Sequence, residues 1–156
     1  MVRNGEAIVA WARSKVGIEE NPRGSNSGQA LESMLKETNF TPGNAWCMFF
    51  CEAVLKAVFH PTEAIPAWIV HTGSCADQAH KAMLLGRTSE WPATGCIVLF
   101  RGGPRGFHHA GIVSEVTSSG TSFRSVEGNT NSDGSVEGYA VCEHTHTRTD
   151  QVFVIW

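Results

Sequence analysis

The stretch Asn44-Ala45-Trp46-Cys47-Met48-Phe49-Phe50-Cys51-Glu52-Ala53-Val54-Leu55 decides the fold. The turn formers Pro42 and Gly43 precede it, and its apolar residues fall on every side of a helix. A helix of that composition is buried all round. The pattern therefore predicts a central helix from near Trp46 or Cys47 to about Phe59, ended by Pro61. Cys47 then lies in the first helical turn and Cys51 one turn deeper. Unpaired backbone N–H groups and the helix dipole favour an anion at a helix start, and the thiolate is the reactive form of cysteine. Cys47 is the candidate nucleophile. Cys51, among Phe50, Val54 and Leu55, reads as a structural thiol.

Helices are expected on both sides of this segment. Asn4 can cap one carrying Ala7, Ile8, Trp11, Ala12 and Val16, with Gly17 as its stop. A loop of Pro, Gly, Ser and Asn over 21–28 leads to a second, with Leu31, Met34 and Leu35 on one face. Ser74 and Asp77 form a weak capping box for a fourth over Ala76, Ala79, Met83 and Leu84, ending near Gly86. After Pro92 the apolar period changes to two. Strands are expected at 97–100, 110–117, 121–127, 137–143 and 151–156, with a turn at Ser118-Ser119-Gly120. Helices followed by antiparallel strands define an α+β fold, with N-terminal helices packed on a C-terminal antiparallel sheet. The chain reads as one domain over 1–156, without internal repeat or linker.

The strands carry the other chemical groups. His109 opens Ala110-Gly111-Ile112-Val113, whose small residues let another element approach closely. An imidazole there can take and return a proton near neutral pH. Alternation turns His108 the other way. Glu127, at the end of the next strand, can accept the ring N–H of His109 and fix its tautomer. Asn129 can do this instead, or add a second polar contact. In chain order the sequence offers a thiol, an imidazole and a carboxylate.

Bulk composition narrows the partners. The 156 residues carry a formal net charge of −3 and no basic stripe, which argues against nucleic acid. No apolar run approaches the length of a membrane span, so membrane insertion is not expected. The N-terminus lacks the basic-then-apolar layout of a signal peptide, so synthesis in a cytoplasm is expected. Five cysteines cannot all pair, and their spacing does not suit a disulfide scaffold. His144 and His146 share a strand face with Cys142 and Glu143 nearby. No second ligand pair accompanies them, so no metal and no cofactor are expected.

Together these segments resemble the CHAP domain, a cysteine- and histidine-dependent amidohydrolase/peptidase group of the papain-like and NlpC-type superfamily. Trp46-Cys47 with its apolar helix resembles the nucleophile segment of that family. Thr94-Gly95-Cys96-Ile97-Val98-Leu99-Phe100 resembles its first core strand, His109-Ala110-Gly111-Ile112-Val113 its histidine strand, and Glu127-Gly128-Asn129 its third catalytic segment. Ser25-Asn26-Ser27-Gly28 is similar to a stretch of some bacterial and phage members. The chain departs from the pattern at Cys96, where many members carry Asp, and at His108, where most carry Gly. It also lacks acids ahead of Cys47, so the calcium site of some phage members is not carried over.

The resemblance implies a papain-like fold and a cell-wall lytic enzyme cutting an amide in peptidoglycan, as an endopeptidase or an N-acetylmuramoyl-L-alanine amidase. Cys47, His109, Glu127 and Asn129 are the expected catalytic residues, and Trp46 is an expected substrate contact. The alternative is a non-catalytic wall- or partner-binding module on the same fold. The expected state is a monomer. Action on the wall would follow release in phage lysis, as for an endolysin, or delivery by a secretion system, with an immunity or delivery protein as a further partner.

Overall fold

The computed structural model describes residues 2–59, 64–133 and 138–156. Among these residues four helices come first: α1 (Val2–Arg13), α2 (Gln29–Leu35), α3 (Cys47–Phe59) and α4 (Cys75–Leu84). Six strands follow: β1 (Thr88–Ser89), β2 (Ile97–Arg101), β3 (Phe107–Val116), β4 (Ser122–Thr130), β5 (Ala140–Thr147) and β6 (Val152–Val154). They form one antiparallel sheet in the order β1-β6-β2-β3-β4-β5. This is an α+β papain-like arrangement, with the helices before the sheet.

α3 is the centre of the molecule, as its all-round apolar sequence requires. Ten of its residues are buried, including Cys47, Phe50, Cys51 and Leu55. It packs against α1, β3 and β4. Alternation along the strands divides the sheet between two cores. Ile97, Leu99, Ala110, Ile112, Val126 and Val154 face the helices. Cys96, Val98, Val113, Phe123 and Phe153 build a smaller cluster on the opposite face, with Phe100 packed against it.

Two glycines set how closely the central elements approach. A Cβ on Gly128 would lie 2.6 Å from the Trp46 ring and 2.8 Å from Phe50 Cβ, so only glycine lets β4 meet the start of α3. A Cβ on Gly111 would lie 2.6 Å from Glu127 Cγ, so this glycine leaves room for the carboxylate to cross β3. A buried carboxylate braces the nucleophile segment from its other side. Glu20 Oε1 accepts from Trp46 Nε1 at 2.8 Å, while Oε2 accepts the backbone N–H groups of Gly24 and Asn26 at 2.8 and 3.0 Å. The loop over 21–28 is thereby tied to the residue before Cys47.

Several boundaries differ from the sequence reading. Asn4 lies inside α1 rather than capping it, and the helix ends at Arg13. Gly17 instead donates its backbone N–H to Val141 at 3.0 Å, joining the turn after α1 to β5. Ser74 caps α4, accepting from the Asp77 N–H at 3.1 Å. Met83 and Leu84, expected on its apolar face, are exposed. β3 begins at Phe107, so His109 stands within the strand, opposite Phe100. β5 runs to Thr147 and takes in both His144 and His146. Pro61 as a helix stop, and a strand start at 137, fall outside the described residues.

Candidate active site

Cys47 is the first residue of α3, and Cys75 is the first residue of α4. The two helix starts converge, and the thiols stand 3.7 Å apart. His109 on β3 and Glu127 on β4 meet behind them. His109 Nε2 lies 2.8 Å from Glu127 Oε2, and both side chains are 2 % exposed. His109 Nδ1 is buried and makes no hydrogen bond at rest. With Nε2 committed to the carboxylate, Nδ1 is the nitrogen left for the thiol. Ring and thiol are near enough to shift each other's titration. Catalytic hydrogen bonds are commonly long until a substrate is bound.

The electrostatics favour a charged pair. At Cys47 the Cys75 thiol, placed to donate to Sγ, is the largest influence lowering the pKa. Burial opposes it, and the His109 ring and the Ala110 backbone N–H reinforce it, so the Cys47 pKa falls well below its ordinary value. Burial pulls His109 down. The nearby Cys47 thiolate, and the hydrogen bond and charge of Glu127, outweigh that effect and hold the imidazolium up to about 9. Burial pushes Glu127 up, but His109, His146 and Ser125 hold it at about 2. The other thiols behave oppositely. Burial raises Cys51 and takes Cys96 up to about 12. All five cysteines are unpaired, and Cys47 alone is tuned toward a thiolate.

The remaining expected residues sit elsewhere. Asn129 has a left-handed backbone (φ 56°), and no hydrogen bond joins its side chain to the His109 ring, whose Nε2 is on Glu127 and whose Nδ1 makes none. It lines a cavity of about 230 Å³ with Glu20, Gly24, Asn26, Ala45 and Gly138, beside the segment leading to Cys47. Trp46, expected to touch substrate, is fully buried and spends its indole N–H on Glu20. Its place is in the core under the nucleophile loop. His108 is exposed, packed against Gly102, and takes no part in the cluster. A cavity of about 820 Å³ between α1, α2 and α3 is lined by none of these residues.

Three contributors escaped the sequence reading. Cys75 is the thiol beside Cys47. Ser125 Oγ donates to Glu127 Oε1 at 2.6 Å. His146 Nε2 lies 2.6 Å from the same oxygen. In the sequence His146 read more simply as a polar strand residue than as half of a metal pair. His144 instead meets Thr130 Oγ1 at 3.3 Å, and among the described residues no group of three or more His, Cys, Asp or Glu is placed to hold a metal ion. No signal in the sequence could have found this contact, because it depends on the pairing Phe123↔His146, which sets β5 beside the Glu127 strand.

A thiol at a helix start, an imidazole on a strand near it and a carboxylate bonded to the ring are the groups that nucleophile–base–orienter chemistry uses. The chain belongs to the CHAP domain family, whose model matches residues 39–129, a span that includes Cys47, His109, Glu127 and Asn129. Membership makes it a cysteine- and histidine-dependent amidohydrolase or peptidase of a generally cell-wall-related group. No curated protein and no solved structure matches the chain.

Proposed function

We propose that this protein hydrolyses an amide bond of peptidoglycan through a Cys47-His109-Glu127 triad. The observation that carries the reading is the arrangement of His109, with Nε2 held on Glu127 at 2.8 Å and Nδ1 left free beside a thiol of lowered pKa. His109 takes the thiol proton, and the Cys47 thiolate attacks the amide carbonyl carbon. The backbone N–H of Cys47, at the start of α3, is assigned as an oxyanion donor, since N–H groups in a first helical turn have no partner within the helix. His109 then gives its proton to the leaving nitrogen as the C–N bond breaks, leaving a thioester. Water, deprotonated by His109, attacks the thioester, releases the carboxylic acid and restores the thiol.

Glu127 keeps the proton of neutral His109 on Nε2 and stabilises the imidazolium. Asn129 is assigned a supporting polar contact at the cavity beside Ala45. Cys47 is only 4 % exposed, and so narrow an approach suits a stem or bridge peptide better than a glycan chain. The same reading makes the protein bacteriolytic, either as an endolysin or as a delivered effector with an immunity protein as partner. The test is digestion of purified peptidoglycan followed by mass spectrometry of the fragments. New amine and carboxyl ends at one amide position, absent with Cys47→Ala, are the expected result. Fragments with cut sugar–sugar bonds, or equal digestion by Cys47→Ala, would overturn it.

A further inference from the structure

The carboxylate behind His109 is shared by two histidines. Glu127 Oε2 serves His109, while Oε1 receives both Ser125 Oγ and His146 Nε2 at 2.6 Å. An ionised carboxylate offers only acceptors, so at this distance the Nε2 of His146 carries a proton and donates it. His146 comes from β5, beyond the 39–129 stretch matched by the family. Its ring is held between Phe100 and Phe123, with centroid distances of 4.8 and 5.3 Å, and its side chain is 24 % exposed. The titratable groups around it are Glu127 from β4, His109 of β3 through the shared carboxylate, and His144 on its own strand, 6.3 Å away between ring centroids.

We propose that His146 is a positioning residue for the triad: it pins Oε1 of Glu127, with Ser125, so that Oε2 is presented to His109. The inference rests on the triad reading above and extends it to a fourth side chain. The physical argument is geometric. Glu127 is anchored on β4 and must cross Gly111 to reach His109 on β3. A glutamate side chain has three rotatable bonds, and one hydrogen bond at its tip does not fix them. Donors on both oxygens do. The Ser125 hydroxyl can rotate to other acceptors, whereas the His146 ring is locked by two aromatic neighbours. The fixed donor is therefore His146.

The test compares His146→Phe, which fills the aromatic slot without a donor, with His146→Gln, which keeps an N–H able to reach Oε1. Circular dichroism and melting confirm folding. The readout is the rate of Cys47 alkylation by iodoacetamide at neutral pH, together with kcat and KM on wall fragments. In His146→Phe, alkylation and kcat are expected to fall about tenfold with KM unchanged, and His146→Gln should return both to within about threefold of wild type. Wild-type rates in His146→Phe, or equal losses in both variants, would overturn the proposal. Alkylation needs no wall substrate, so it decides the role of His146 even if wild-type protein releases no fragments. That last result would count against the hydrolase reading alone.

Discussion

Replacing Glu127 by Gln removes one charge and almost no volume, so it isolates what the carboxylate contributes. Glu127 is buried and accepts three hydrogen bonds, from His109, His146 and Ser125. Holding its pKa at about 2 rather than the ordinary 4.5 corresponds to ~3 kcal/mol favouring the charged form. Much of that stabilisation is mutual with the His109 imidazolium, whose own pKa stands at about 9. An amide cannot return it. If Gln turns its oxygen to His109, the imidazolium loses the charge opposite, and ~3 kcal/mol becomes roughly a hundredfold in rate. If it turns its NH2 to His109, Nε2 must become the acceptor and Nδ1 carries the proton. The ring then cannot take a proton from the thiol, and losses of ~10⁴ are the precedent for such a tautomer error in a serine protease triad.

The assay is a pH–rate profile of kcat/KM on defined wall fragments, run beside the pH dependence of Cys47 alkylation. In the wild type an ion pair of thiolate and imidazolium is expected between the lowered Cys47 pKa and the raised His109 pKa. The alkaline limb of activity should therefore fall near pH 9. In Glu127→Gln the limb should move toward the ordinary histidine range and the plateau should drop ~10²–10⁴-fold. A variant that folds, keeps kcat/KM within about threefold and leaves the limb in place would refute the reasoning, because a carboxylate so placed could then not be supporting His109.

Other expectations follow from the same geometry. Cys47→Ala should fold normally and lose lytic activity, whereas Cys51→Ala, deep in α3, should stay active and lose ~1 kcal/mol of stability in urea titration. His109→Ala should cost ~10²–10⁴-fold in kcat while the exposed His108→Ala changes it little; equal small effects would remove His109 from the mechanism. Cys75→Ala should raise the Cys47 pKa and slow its alkylation at neutral pH, since the Cys75 thiol is the largest influence lowering it. Stability should also depend on pH in two windows. Glu127, depressed to about 2, contributes stability that is present above about 4.5 and is lost as pH falls from there through 2. His109, raised to about 9, contributes stability that is present below about 6.5 and is lost as pH rises through 9. Denaturant midpoints flat across both windows would contradict these assignments.

Much of the fold was legible because local signals agreed with the tertiary outcome. The all-round apolar run after Trp46 allowed no place for α3 but the centre. The change of apolar period after Pro92 marked the sheet. Chain order, helix start and strand alternation together singled out Cys47, His109 and Glu127, and the structure brings these three side chains into one cluster. The sequence reading failed where the deciding partner lies across the fold. Trp46 was expected to touch substrate because the carboxylate that takes its indole N–H, Glu20, is 26 residues away, just before a loop of turn formers.

His146 shows the same limit from the other side. Two alternating histidines near a Cys and a Glu read locally as a metal pair or as solvated strand residues. Their roles were set by register: β5 lies on β4 so that Cys142 opposes Glu127 and His146 opposes Phe123. Periodicity assigns a side chain to a face, and a one-residue slip would have turned both histidines to the other face of the sheet. What it cannot assign is which neighbouring strand supplies the acceptor. A buried carboxylate needs enough donors to remain charged, and Glu127 takes them from three positions, two of them on other strands. Wherever a candidate orienter is a carboxylate on an inner strand, the strand paired beside it is the place to look for the second donor, since backbone register already holds that donor within reach.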